Sequence, residues 1–210
     1  MSDYNHKMLT PADVEQAAHV IAEAFMDDPL VTFMLPFRST RLQTLIKFFR
    51  IYGEINIRNQ RAYGVGQPLQ AVAFWIFPDQ KNLSISIRMI GKLLPLVFTM
   101  YPLGMLRARK ILEQINAFHE KYANEPHFYL DNLGVISSAR GQGLSSKLIR
   151  PFLDMADEQK VIVYTDTVTS ANIPFYEHFG FRLMEARLVP GTQITVSALR
   201  RPTGDASHQV

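Results

Sequence analysis

Two short stretches of the chain carry residue types and spacings from which chemistry can be built. The first is Ser138-Ala139-Arg140-Gly141-Gln142-Gly143-Leu144-Ser145-Ser146-Lys147, between an apolar run of strand length and a helical pattern. Glycines at 141 and 143 permit backbone conformations that turn successive N–H groups into one concavity, and a starting helix adds unpaired donors and a positive dipole end. Arg140 and Lys147 add full charges. This is an anion site of a size suited to a pyrophosphate, although a Gly-x-Gly between strand and helix serves equally as a tight connection. It is not a P-loop, because Gly-x-x-x-x-Gly-Lys-Ser/Thr is missing, and the third glycine of a dinucleotide fingerprint would fall at Ser146. The second stretch is Asn172-Ile-Pro-Phe-Tyr176-Glu-His-Phe-Gly-Phe181. Taken alone, its phenylalanines read as core and Tyr176 as an amphipathic core tyrosine.

The elements that would hold these stretches follow from periodicity. Thr10-Pro11-Ala12-Asp13 signals a first helix, with an apolar stripe through Val14, Ala17, Ala18, Ile21, Ala24 and Phe25 and a stop near Asp28-Pro29. A second helix is expected over about 39–56, then strands over 63–65 and 71–77 around Gly66-Gln67-Pro68. Residues 83–122 read as a kinked helical insertion broken by Pro95 and Pro102. The remainder reads as a strand over 127–136, a helix over 143–159, a strand over 161–168, a short helix over 173–179 ending at Gly180, and strands over 181–189 and 194–200. Helices come first, then alternating elements. That is an α/β pattern with a mixed sheet.

Composition removes several classes of function. Among 210 residues there is no cysteine, which excludes a disulfide framework, thiolate metal sites and a cysteine nucleophile. His19, His119 and His178 have no partner at ligand spacing, so no metal site is expected. Lys and Arg total 22 against 19 Asp and Glu, a net charge of +3, too even for a nucleic-acid partner. The polar start lacks a secretory core. The most apolar stretch, Met89–Leu106, is interrupted by Lys92, Pro95 and Pro102, so no membrane span and a cytoplasmic location are expected. Length fits one domain over 1–200, with the insertion at about 83–122 and a flexible tail over 201–210.

Taken together, the two stretches resemble a known family. Arg140-Gly-Gln-Gly143-Leu-Ser145 is similar to the Arg/Gln-x-x-Gly-x-Gly/Ala signature of the GNAT N-acetyltransferase superfamily, Leu133-Gly134-Val135 to its strand-4 Leu-x-Val, and Asn172…Phe-Tyr176-Glu-x-x-Gly-Phe181 to its last helix. Within the superfamily the chain resembles the puromycin N-acetyltransferase subgroup. Shared features are Glu125-Pro126, Pro151, Thr167 after Asp166, and Asn172-x-Pro-Phe-Tyr-Glu. The match covers about 125–199 well and 71–78 and the first helix loosely. It implies an α/β fold with a mixed, mostly antiparallel central sheet flanked by helices and splayed between strands 4 and 5.

The resemblance also assigns roles. Leu133, Gly134 and Val135 would offer backbone groups to the pantetheine arm of acetyl-CoA, the cosubstrate. Arg140, Gly141, Gln142, Gly143, Leu144 and Ser145 would cradle its pyrophosphate, Asn172 would hydrogen-bond its arm, and Tyr176 would reach its sulfur. Ser145 departs from the family's Gly/Ala, but a serine is small enough to keep the backbone close and adds a hydroxyl.

Acyl transfer from a thioester to an amine needs a neutral amine, a stabilised oxyanion and a protonated leaving thiolate. Without cysteine, direct attack in a ternary complex is the simpler route. Tyr176, protonated at neutral pH, is the candidate acid. On strand 4, His127, Tyr129 and Asp131 share a face. The resemblance implies a base two or four positions before Leu133, at Asp131 or Tyr129, and Asp131 is the candidate, with Asp166 as its rival. Either acid would serve equally well as a hydrogen-bonding group between splayed strands. Phe25, Phe33, Phe37, Trp75, Phe77 and the 93–105 segment are candidates for an apolar acceptor wall, which with nine methionines suits a small amine with an apolar body. The expected activity is transfer of an acetyl group to the primary amine of a small molecule, and the resemblance allows a homodimer. A non-catalytic acyl-CoA-binding regulator on the same fold is the alternative. A nucleotide-dependent oxidoreductase has only the Gly-x-Gly turn in its favour.

Overall fold

The computed structural model describes residues 5–79 and 102–203. A short strand β1 (Lys7–Met8) and a 3₁₀ turn (Pro11–Asp13) lead into α1 (Val14–Ala24). The Thr10 N–H and hydroxyl both donate to the Asp13 carboxylate at 2.9 Å, and Lys7 donates to it at 2.8 Å, fixing the helix entry.

Beyond α1 the structure departs from the sequence expectation. Helix α1 already ends at Ala24, with Phe25 as its C-cap, and Asp28-Pro29 instead starts a second helix. Asp28 Oδ1 accepts from the N–H groups of Leu30 (2.9 Å) and Val31 (3.2 Å) with Pro29 in the first turn, so α2 (Pro29–Met34) forms. Next come α3 (Arg38–Arg58), β2 (Ala62–Val65) and β3 (Ala71–Ile76). The expected insertion lies mostly outside the described residues. Its later part is one helix, α4 (Pro102–Tyr122), with Pro102 in the first turn, where a missing N–H costs nothing. The chain continues through β4 (His127–Val135), α5 (Leu144–Gln159), β5 (Ile162–Thr167), α6 (Ile173–Glu177), β6 (Arg182–Leu188) and β7 (Thr195–Arg201). Arg201, expected in the tail, is instead the last residue of β7 and forks the Asp157 carboxylate of α5 at 2.6 and 2.7 Å.

The seven strands form one sheet in the order β1-β2-β3-β4-β5-β7-β6. All neighbours are antiparallel except β4 and β5. This is the mixed, mostly antiparallel α/β architecture expected of the resemblance.

Strand alternation sorts the core into two faces. Ala71, Ala73 and Trp75 of β3, Phe128 and Leu130 of β4, and Val163 of β5 pack beneath Leu148, Phe152 and Leu153 of α5. On the opposite face Val72 and Phe74 of β3 meet Ala17, Ile21 and Phe49 of α1 and α3. Ile162 and Tyr164 of β5 meet Ile111 and Phe118 of α4 on that face. The approach of α1 to β4 is close enough that a Cβ at Gly134 would lie 2.9 Å from Ala24 Cβ and Ile21 Cδ1. Glycine is required there by packing. No described helix is long and apolar enough to cross a membrane.

Candidate functional site

The site begins where the sheet forks. The parallel pairing of β4 with β5 runs from His127↔Ile162 to Tyr129↔Tyr164 and ends there. The Thr165 hydroxyl donates to the Leu130 carbonyl at 3.0 Å and stitches the strands at the point of divergence. Past it, β4 keeps its antiparallel partner β3 as far as Val135 while its other edge has no paired strand among the described residues. Backbone polar groups on an unpaired edge accept an extended ligand as an added strand.

A cleft of about 540 Å³ follows this open edge. It is lined by Leu133 and Val135 of β4, by Arg140, Gly141, Gly143, Leu144 and Ser145 of the turn, and by Asn172 and Tyr176. Gly141 and Gly143 have φ of +77° and +73° with nothing within 4 Å of a Cβ placed there, so backbone conformation rather than space demands glycine. Gly143 caps α5, whose first N–H groups open beside the turn. Glu23 of α1 ties the turn down: the Ser137 N–H and hydroxyl donate to its Oε1 at 2.9 and 2.7 Å. These bonds, assisted by the nearby Arg140 charge, hold Glu23 below the usual carboxylate range. Two expected residues stand apart: Gly134 lies under α1, and the Gln142 amide donates to the Ser138 carbonyl at 3.3 Å.

A second cavity of about 450 Å³ opens on the other side of Tyr176. Its floor is the forked sheet, with Tyr129 and Asp131 from β4 and Thr165 and Asp166 from β5. Asp131 Oδ2 accepts from the Tyr52 hydroxyl of α3 at 2.5 Å and from the Asn132 amide at 2.8 Å. Asp166 Oδ2 accepts from the Tyr129 hydroxyl at 2.9 Å. The two carboxylates are unequally supported. Burial raises both, but Asp131 is opposed by two donors and the positive charge of Arg61. Asp166 has one donor, feels the Asp131 charge, and is pushed up to about 7. Tyr176 is buried, its hydroxyl hydrogen-bonds with Thr165, and burial pushes it up to about 12, so it keeps its proton at neutral pH.

The roof of this cavity differs from the expected apolar wall. Phe25 lines it, but Trp75 and Phe77 lie on the opposite sheet face against Phe152, with the Trp75 Nε1–H donating to the Leu148 carbonyl at 3.1 Å. Phe33 packs with the α4 cluster, and Phe37 is exposed. Most of the expected 93–105 segment lies outside the described residues. The wall comes instead from α2, α3 and α4: Val31, Met34, Phe48, Phe49, Leu112 and Ile115. Phe48 stacks on Tyr52 at 5.7 Å and 10° between planes.

The sequence profile of the acetyltransferase (GNAT) family matches residues 73–181, just over half the chain, and spans the fork, the turn and Tyr176. The chain belongs to the GNAT acetyltransferase family. It is 26% identical over 183 residues to an uncharacterised N-acetyltransferase of Schizosaccharomyces pombe, covering 83% of this chain and 73% of that one. Among solved structures it is similar to the histone acetyltransferase HPA2 and related acetyltransferase of Corynebacterium glutamicum, with a TM-score of 0.60, 19% identity and coverage of 95% and 96% of the two chains. It is likewise similar to arylalkylamine N-acetyltransferase 2 of Aedes aegypti, with a TM-score of 0.61, 14% identity and coverage of 94% and 97%. At these identities the two structures speak for the fold.

In this GNAT chain the candidate site also holds residues that sequence reasoning missed. Tyr52, four residues after Phe48 on α3, is a polar-tipped residue in an apolar stripe and so was open to notice. Arg61 is buried between α3 and β2 and acts on Asp131 only through the fold. Asp28 lines both cavities. His119, without a partner at sequence spacing, meets His127 with 2.8 Å between the Nε2 atoms. No group of three or more metal-ligating side chains occurs among the described residues.

Proposed function

We propose that this protein is an acyl-CoA-dependent N-acyltransferase that moves an acetyl group from acetyl-CoA to the primary amine of a small molecule by direct attack in a ternary complex. The observation that carries this reading is that the cleft and the cavity share Leu133, Asn172 and Tyr176, so that donor and acceptor would meet at one hydroxyl. The kinship to the puromycin N-acetyltransferase subgroup belongs to the same proposal.

The residues of the cleft suit a coenzyme A. Positive-φ glycines, the N-terminus of α5 and Arg140 offer donors and charge to a pyrophosphate, and the β4 edge at Leu133–Val135 offers backbone groups to the pantetheine arm. Ser145 keeps the backbone accessible, and Asn172 stands beside the arm's path. Bound acetyl-CoA would supply an activated acyl carbonyl and a thiolate leaving group.

The chain's own groups then have three tasks. The apolar wall of the cavity displaces water from the acceptor's body and orients the amine toward the cleft. Asp131 and Asp166 receive the proton that the amine must lose. Asp131 is the residue expected from sequence. Asp166, less supported and raised to about 7, releases and takes up a proton more readily near neutrality, and Asp131, where two donors and the Arg61 charge oppose burial, is its partner on the floor beside the ammonium. Tyr176 donates its proton to the departing thiolate.

Release of CoA thiol from acetyl-CoA, measured with a panel of amines, tests the transfer. Amine-dependent release is expected. Tight acetyl-CoA binding with no release for any amine would instead favour the non-catalytic regulator. Replacing Tyr176 with Phe should lower kcat about 10²-fold with acetyl-CoA affinity retained. Unchanged turnover would reject its role as acid.

A further inference from the structure

The second cavity has a charge map that narrows what it admits. Its carboxylates are not scattered. Asp131 and Asp166 sit together on the sheet floor, within electrostatic reach of each other. Asp28, the third, lines the donor cleft as well as the cavity, so it stands at their junction rather than at the far end, and its Oδ1 already accepts two N–H bonds of α2. The roof over α2, α3 and α4 is apolar, with Val31, Met34, Phe48, Phe49, Leu112 and Ile115 on it. Among the described residues no lysine, arginine or histidine lines the cavity.

Each feature has a physical consequence. A cation is welcome at one place only, because Asp131 and Asp166 lie together on the floor and line the cavity but not the cleft. A second ammonium on the same molecule would have to lie under the apolar roof, where desolvation is uncompensated. An acidic group on the acceptor would enter a cavity that already holds carboxylates and offers no lining cation. An aromatic or branched body, in contrast, finds ring faces and aliphatic carbon to displace water from.

We infer that the acceptor is a primary monoamine with an aromatic or branched aliphatic body and no acidic group, held with its ammonium on the Asp131–Asp166 floor and its body under the roof of α2, α3 and α4. The word acceptor rests on the transferase reading. The selectivity of the cavity does not.

Binding therefore provides the test. Titration calorimetry of the full chain, with and without CoA, should give 2-phenylethylamine roughly tenfold or more tighter binding than phenylalanine, which has the same body plus a carboxylate. Hexylamine should likewise bind roughly tenfold tighter than 1,6-diaminohexane, which adds a second cation. Equal or tighter binding of phenylalanine or the diamine would overturn the inference. Met34→Asp places a carboxylate in the roof and should shift the hexylamine-to-diamine ratio about tenfold toward the diamine. An unchanged ratio in the folded variant would contradict the placement of the body. Amine-dependent thiol release separates the two proposals. The expected binding order without release would overturn the transfer and leave the selectivity standing, whereas release that favours the diamine or phenylalanine would overturn the selectivity alone.

Discussion

The two compartments that meet at Tyr176 are built in opposite ways. The donor cleft is lined from two short runs of the chain, the end of α1 with the turn that follows it and the end of β4 with the turn into α5, and α6 closes it. The acceptor cavity draws on α2, α3, α4, α6, β4 and β5, and its key contacts join residues far apart in the chain. Tyr52 reaches Asp131 across 79 positions, and Tyr129 reaches Asp166 across 37. A site made by local backbone geometry is fixed by glycines and a helix start. A site made by convergence of side chains depends on the packing of every helix above it.

Variants can break one compartment and spare the other. The largest effect is expected for Asp166→Asn, which should lower kcat by about 10²–10⁴ while acetyl-CoA affinity stays unchanged. In the wild type kcat/KM should rise as pH passes about 7, when Asp166 loses its proton, and the Asn variant should lose that limb. The sign for stability is opposite. A carboxyl raised in the folded state contributes stability that is complete below its unfolded value, about 3.9, and lost as pH rises through about 7. Wild type should therefore lose stability between about pH 4 and 7 relative to Asp166→Asn, as measured by denaturant titration.

On the donor side, Gly143→Val forces a β-branched residue to φ +73° and should weaken acetyl-CoA binding about 10–100-fold with amine binding intact. Equal damage to both ligands would deny that the compartments are separable. Tyr52→Phe removes one donor from Asp131, whose carboxyl would rise further, and should raise the amine KM about tenfold at neutral pH. Trp75→Phe should have the smallest effect on activity. It removes the bond to the Leu148 carbonyl, costs about 1–3 kcal/mol by thermal melt, and leaves the amine KM unchanged, because Trp75 lies on the far face of the sheet.

What sequence could reveal follows the same division. The turn at 138–147, the strand before it and the helix after it were legible because glycines and helix starts act over a few residues. So were the mixed sheet and the shared face of His127, Tyr129 and Asp131, which alternation dictates. Helix α2 is hidden in the sequence because Asp28-Pro29 reads as a stop, and the same pair is also a helix start once Asp28 turns to cap it. Trp75 and Phe77 lie outside the apolar wall expected of them because an aromatic residue in a strand announces burial, not which face it enters. Arg61 and Tyr52 act on Asp131 only after α3 has crossed the sheet, and no local pattern encodes that crossing.

The central claim is that donor and acceptor are held together across Tyr176 and react directly. Initial-velocity patterns, with acetyl-CoA and 2-phenylethylamine varied against each other, test it most plainly. Intersecting lines in double-reciprocal plots are the expected result. Parallel lines, the mark of an acyl-enzyme formed before the amine binds, would contradict it.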